Sequence, residues 1–295
     1  MSLEIQSSTT DRESEIRDPE QSSYRQIFKA TSLFGGVQVF QILIGIIRTK
    51  LVAVLLGTKG IGIIGLLSSP LQLMTSITGL GISFSAVRDI SEAYGSGETG
   101  RISGTITTLK RWSWISGLFG AVATLSLAPL LSRWSFGNED YTWAFIWLSV
   151  TLLFQSLSSS RSAILQGSRR LKEMASASVI GSALGLVTSV PLYYFFGIQG
   201  IVPALIITSI TGLLLYWYFS RRVKVEKVIQ TPKETYTSGI SMIKLGVAMT
   251  LAGFIASLSA YILIAFISNK GGIEQVGLYN AGWGVVGQYT AIIFS

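Results

Sequence analysis

The sequence predicts an all-α integral membrane protein, a polytopic bundle in which about eight transmembrane helices can be drawn: one six-helix lobe and the start of a second. Three observations carry this. Of the 295 residues, 49 % are hydrophobic and only 13 % charged, about half the charged share of an average soluble domain, and the mean hydropathy is +0.52. The apolar residues are gathered into stretches of roughly 17–25 residues or more, the length a helix needs to cross hydrocarbon. The cations are sorted by side: with the N-terminus inside, eighteen of them fall in inner segments and three (Lys59, Arg133, Lys270) in outer loops. That asymmetry predicts the orientation.

Residues 1–24 are polar and mixed in charge, with no apolar core of the signal-peptide kind, and are expected to form a disordered cytoplasmic tail. Apolar stretches follow at about 27–57, 60–86, 112–132, 143–166, 174–196, 199–219, 242–268 and 279–295. The first two meet at a short Lys59-Gly60 turn. Trp134 and Trp143 mark the outer interface between the third and fourth, and Tyr193 to Phe196 mark it after the fifth. Tyr216 to Phe219 mark the inner interface after the sixth. Glycines at 65, 79, 81, 181 and 185 are read as close-packing positions, Gly181 and Gly185 forming a small-xxx-small pair. The expected division is a lobe over 25–219, a cytoplasmic connecting loop over 220–241, and the first two helices of a truncated second lobe over 242–295.

The second lobe is expected because the chain echoes itself. Lys50 to Leu66 and Tyr261 to Leu278 both run from an apolar helix end through a Lys-Gly turn to a Gly-Leu that opens the next helix. Gly65 and Gly277 are 212 positions apart, with six spans in one period. Parallel six-span repeats are a transporter plan.

The chemistry-bearing residues are few. The chain has no cysteine and no histidine, which removes the thiolate nucleophile, the usual general base and the commonest zinc ligands. Six of the fifteen acids lie in the tail, and the others fall in loops or at helix ends. Asp89 and Glu92 have no second acidic motif beside them and read as a solvated helix end. No enzyme activity, metal or cofactor is therefore expected. The net charge of +8 follows topology and does not point to nucleic acid.

Arg48 is the exception. It lies inside the first apolar stretch, where a cation costs roughly 2.5–3.5 kcal/mol at the centre of a spanning helix, so it is expected to face protein or water. Thr31, Phe34, Gln38, Gln41, Gly45 and Arg48 recur at steps of three or four and make one stripe. Lys50 points about 200° away from Arg48. A guanidinium flanked by amides suits phosphate, which its planar fork meets with two hydrogen bonds. Two other readings stay open at this point: a tilted helix that lets the cations snorkel, and glutamines that bond a neighbouring helix.

Ser32 to Gly36, Ile46 to Gly57, Gly60 to Leu66 and Gly79 to Arg88 together resemble the opening of bacterial O-antigen translocases. These are polysaccharide flippases of the multidrug/oligosaccharidyl-lipid/polysaccharide exporter superfamily. The resemblance implies two six-helix lobes around a central cavity that opens alternately to either side of a bacterial inner membrane. It implies an undecaprenyl-pyrophosphate-linked oligosaccharide, a unit of O-antigen or a related polysaccharide, as cargo. A polysaccharide polymerase and a chain-length regulator would be partner proteins. An arginine of the first helix engages pyrophosphate in the lipid II flippase branch, and the resemblance of Gly45 to Arg48 carries that role to Arg48. Arg88, at the inner end of the second span, is the weaker candidate for the entry of pyrophosphate. A drug exporter of the same superfamily is the runner-up, and a membrane glycosyltransferase comes third.

Overall fold

The computed structural model describes residues 19–223 and 232–294. Most of the expected tail and residues 224–231 of the connecting loop lie outside the described residues, as do the side chains of Thr31 and Phe34. Among the described residues there are eight α-helices: α1 (Pro19–Thr78), α2 (Ile82–Ser96), α3 (Thr99–Phe136), α4 (Thr142–Gly167), α5 (Leu171–Phe196), α6 (Ile201–Ser220), α7 (Pro232–Gly271) and α8 (Ile273–Phe294). The all-helical membrane bundle read from composition is the fold observed.

Two stretches apolar enough to cross a membrane are long enough to do so twice, Gly35–Thr78 with 44 residues and Leu171–Ser220 with 50. Each folds back on itself at a glycine. Helix α1 reverses at Gly57, whose φ of 67° and ψ of −170° are open only to a residue without a Cβ. Its first arm ends there and its second arm begins. Helix α5 ends at Gly197 (φ 55°), and one 3-10 turn over Gly197–Gly200 leads into α6.

One span is not continuous. The sequence suggests a single apolar stretch over 60–86, but the helix breaks at Gly79-Leu80-Gly81, where Leu80 (φ 50°) and Gly81 (φ 63°) are both left-handed. The backbone is resatisfied locally: Ile82 N–H donates to the Gly79 carbonyl at 3.2 Å, and Phe84 N–H to the Gly81 carbonyl at 3.0 Å. The break is tied to α7, because a Cβ on Gly81 would stand 2.2 Å from the Gly246 carbonyl oxygen. Gly81 packs closely against α7, as expected, and also turns the chain.

Two apolar cores occupy the two ends of the bundle. One joins Ile63, Leu67, Leu131, Phe145, Leu148 and Ile201. The other joins Ile82, Ile90, Ile106, Leu109, Ile164 and Val223 near the α2–α3 connection. Large apolar side chains such as Trp143, Trp147, Phe119 and Val187 stay exposed on the outer faces, as they do where the surrounding solvent is lipid.

The two hairpins of the echo meet directly. A Cβ on Gly62 would touch the Ile273 carbonyl oxygen, and one on Gly277 the Thr58 carbonyl oxygen. Asn269, near the end of α7, donates to the Trp134 carbonyl at 3.2 Å. The first arm of α1 and α7 therefore reach the same end of the bundle and run in the same direction, as a parallel repeat requires.

Labelling tests which end faces the cytoplasm, and the chain has no native thiol to interfere. Exposed Ser241 and Asn138 lie near opposite ends. A cysteine at Asn138 should react with an impermeant maleimide in intact cells and one at Ser241 should not. The reverse pattern would invert the orientation read from the cations.

Candidate transport cavity

The break at Gly79–Gly81 opens onto a cavity of 460 Å³ between the second arm of α1, α3, α4 and α7. It shares Ser83, Phe84 and Ser159 with a second cavity of 460 Å³ that reaches α6. A third of 190 Å³ shares Gln72 and Thr75 with the first, and Gln155 and Ser209 with the second. Sharing these walls, the three lie side by side and make up one recessed region. Irregular backbone at membrane depth is tolerated where it lines such a recess, because bare peptide groups facing lipid would each cost several kcal/mol.

Hydroxyls and amides supply its polar wall, and among the described residues no charged side chain lines any of its three parts. Some hydroxyls hold the walls together. Ser116 Oγ and Ser156 Oγ lie 2.9 Å apart across α3 and α4. Ser76 Oγ and Ser257 Oγ, 3.1 Å apart, bridge the second arm of α1 to α7. Others turn back on their own helix, as Thr208 does to the Ala204 carbonyl at 2.7 Å. Gln72 and Gln155 are exposed along the recess, and Phe84, 63 % exposed, presents an aromatic face to it. A wall of this kind can donate to and accept from hydroxyl-rich groups without binding either sign of charge.

The residues singled out from the sequence lie elsewhere. Gln38, Gln41, Gly45 and Arg48 do share one partly buried face of α1, while Val39, Phe40, Leu43, Ile46, Ile47 and Lys50 are exposed. None of the four lines the recess. The Gln41 amide donates to Ser178 Oγ of α5, so this glutamine ties two helices together, the alternative left open above. Arg48 is half-buried and Arg88 is exposed midway along α2. Val87 and Asp89, on either side of Arg88, line two different cavities.

Asp89 borders a separate cavity of 510 Å³ shared with Arg101, Thr237, Ser238 and Ser241, between α2, α3 and α7. Burial first, and then the Glu92 carboxylate, raises the Asp89 carboxyl above its usual range, while Arg88 and Arg101 oppose this. No cluster of three metal-ligating side chains occurs among the described residues.

The sequence held a signal for the recess that spacing arguments missed. Residues 155–162 of α4 read Gln-Ser-Leu-Ser-Ser-Ser-Arg-Ser inside an otherwise apolar span, and five of them border the recess.

Comparison with known proteins fits this architecture. Residues 27–295 match the family model described as "Polysaccharide biosynthesis protein". No curated protein matches the sequence. A solved structure described as the inward-facing conformation of a multidrug resistance MATE family transporter of the MOP superfamily superposes with a TM-score of 0.67 at 16 % identity, over 87 % of this chain and 64 % of that one. A second, described as "protein A", superposes with a TM-score of 0.65 at 15 % identity, over 89 % and 61 %. The chain thus spans less than two thirds of the length of either. At these identities the likeness is one of fold. With the family model covering nearly all of the sequence, the chain belongs to the polysaccharide biosynthesis protein family.

Proposed function

We propose that the protein moves a polyprenyl-pyrophosphate-linked oligosaccharide, of the O-antigen class, from the cytoplasmic to the periplasmic leaflet of a bacterial inner membrane by alternating access. The observation that carries this reading is the recess: neutral, hydroxyl- and amide-lined, bordered by a broken helix and an exposed phenylalanine. Sugars offer hydroxyls for hydrogen bonding and apolar ring faces for aromatic contact, and this wall offers the complement of both. The pyrophosphate is assigned to the cationic residues outside the recess, Arg48 above all, with Gln38 and Gln41 beside it and Arg88 at the cytoplasmic entry. The prenyl chain stays in lipid. No bond is made or broken, so the protein works as a transporter and not as an enzyme.

The multidrug exporter reading is favoured by one of the structural likenesses. Lipophilic cations call for a carboxylate in the cavity, and among the described residues none lines this one.

Reconstitution separates the two. In vesicles loaded with a fluorescent undecaprenyl-pyrophosphate oligosaccharide, the protein should expose the sugar to an added membrane-impermeant glycosidase. Ser159→Leu with Ser83→Leu, which replaces wall hydroxyls with apolar bulk, should slow exposure at least tenfold at equal protein. Efflux of a cationic dye with no movement of the sugar lipid would overturn the flippase reading.

A further inference from the structure

Two cations stand together at the seam of α3 and α4, neither in an ion pair with a carboxylate among the described residues. The register of these antiparallel helices is set by Ser116 Oγ against Ser156 Oγ at 2.9 Å. Ser156 Oγ also donates to the Ser113 carbonyl at 2.9 Å, and Gly117 faces Leu153. Followed toward the α4–α5 connection, the same register sets Lys110 opposite Arg161. The two are within electrostatic reach of each other, and both are half-buried.

The acids at this end of the two helices are paired elsewhere, Glu92 with Arg101 and Glu173 with Arg170. Asp89 answers to Arg88 and Arg101. Glu98 lies twelve positions before Lys110, about 18 Å along the helix. Like charges held side by side and partly out of water raise each other's energy unless an anion sits between them.

The surroundings say what kind of anion. Lys110 continues the row Trp114, Leu118 and Val122 on α3, whose members are 56 %, 58 % and 52 % exposed. Arg161 continues the row Trp143, Trp147, Val150 and Phe154 on α4, the first two of which are 70 % and 60 % exposed. Both rows face outward, away from the transport recess. The pair therefore ends a lipid-facing seam, with an exposed tryptophan one turn deeper, where headgroups begin. Basic pockets between membrane helices bind anionic headgroups in this position.

We propose that Lys110 and Arg161 form a site for the phosphate of a resident anionic phospholipid, whose acyl chains lie along the two apolar rows. The site is separate from the recess and does not depend on what the recess carries.

Native mass spectrometry of the purified protein, equilibrated with equal amounts of phosphatidylglycerol and phosphatidylethanolamine, tests it. The wild type should retain phosphatidylglycerol preferentially. Arg161→Gln should weaken retention about fivefold, and the double variant with Lys110→Gln about thirtyfold, the scale of one and two interfacial cations. Lys110→Arg should retain it fully. Arg161→Glu gives Lys110 an internal partner, so it should lose the lipid while keeping the thermal stability of the wild type. Unchanged retention by the double variant would overturn the site. Stoichiometric displacement of phosphatidylglycerol by undecaprenyl phosphate, in the wild type but not the double variant, would overturn the resident lipid and give the pair to a prenyl phosphate.

Discussion

Gly81→Ala is expected to destabilise the bundle by about 2–6 kcal/mol. Two costs add. An alanine at φ 63° is held in a backbone region that costs roughly 1–3 kcal/mol for a residue with a Cβ. That Cβ would also stand 2.2 Å from the Gly246 carbonyl oxygen and 2.7 Å from the Gly246 Cα. These are backbone atoms that cannot swing aside, and forced overpacking of this kind costs about 1–3 kcal/mol. The contact is mutual, since a Cβ on Gly246 would meet the Gly81 and Leu80 carbonyl oxygens at 2.6 Å. Gly246→Ala should therefore be damaging by sterics alone, and less so. Gly95→Ala is the control, because nothing lies within 4 Å of a Cβ there. The measurement is the thermal midpoint of detergent-purified protein, followed by size-exclusion chromatography of heated samples. A Gly81→Ala midpoint equal to that of Gly95→Ala would show that the α1–α7 crossing has slack these distances do not allow.

Arg48→Ala should abolish surface polysaccharide in cells that depend on the protein, without lowering the amount of protein in the membrane. The expectation rests on a cation in a membrane helix that lies half-buried on the protein-facing side, with Lys50 exposed beside it. Loss of a charge-assisted hydrogen bond costs roughly 1.5–3 kcal/mol, a ten- to hundredfold weakening of cargo binding. Arg48→Lys should rescue only in part, because a point charge replaces a two-pronged donor. Lys50→Ala should be nearly silent. Gln41→Ala separates packing from binding: having lost its bond to Ser178, it should lower stability more than transport. Normal polysaccharide export by Arg48→Ala at equal expression would return Arg48 to a snorkelling role.

The bundle was legible in the sequence because hydrophobic length is a long-range signal that no single residue can spoil. Even the facing of α1 was legible: period alone separated Arg48 from Lys50, and the structure leaves the first half-buried and the second exposed. The recess was not, for a physical reason. Serine is nearly neutral on hydropathy scales and can satisfy its hydroxyl on its own helix, as Ser209 does on the Leu205 carbonyl at 2.9 Å. A run of serines therefore passes unnoticed through an apolar span. The break at Gly79–Gly81 stayed hidden for a related reason. Gly-Leu-Gly in a membrane helix reads as close packing, and only the left-handed Leu80 between the two glycines shows that the helix stops. Arg48 drew attention because a charge in hydrocarbon is costly. The neutral groups that line the cavity raise no such alarm.

The uncharged wall has a consequence for throughput. If the cargo is the oligosaccharide proposed above, a sugar entering the recess would exchange water hydroxyls for serine and threonine hydroxyls nearly one for one, and each such exchange nets only about 1 kcal/mol. Residence in the recess is then short, and no single sugar configuration is held much more tightly than another. A pathway with shallow wells passes its cargo quickly and discriminates little, so chains of different composition should cross at similar speed. Fidelity to one polysaccharide would have to be set elsewhere, by whatever builds the chain before it arrives.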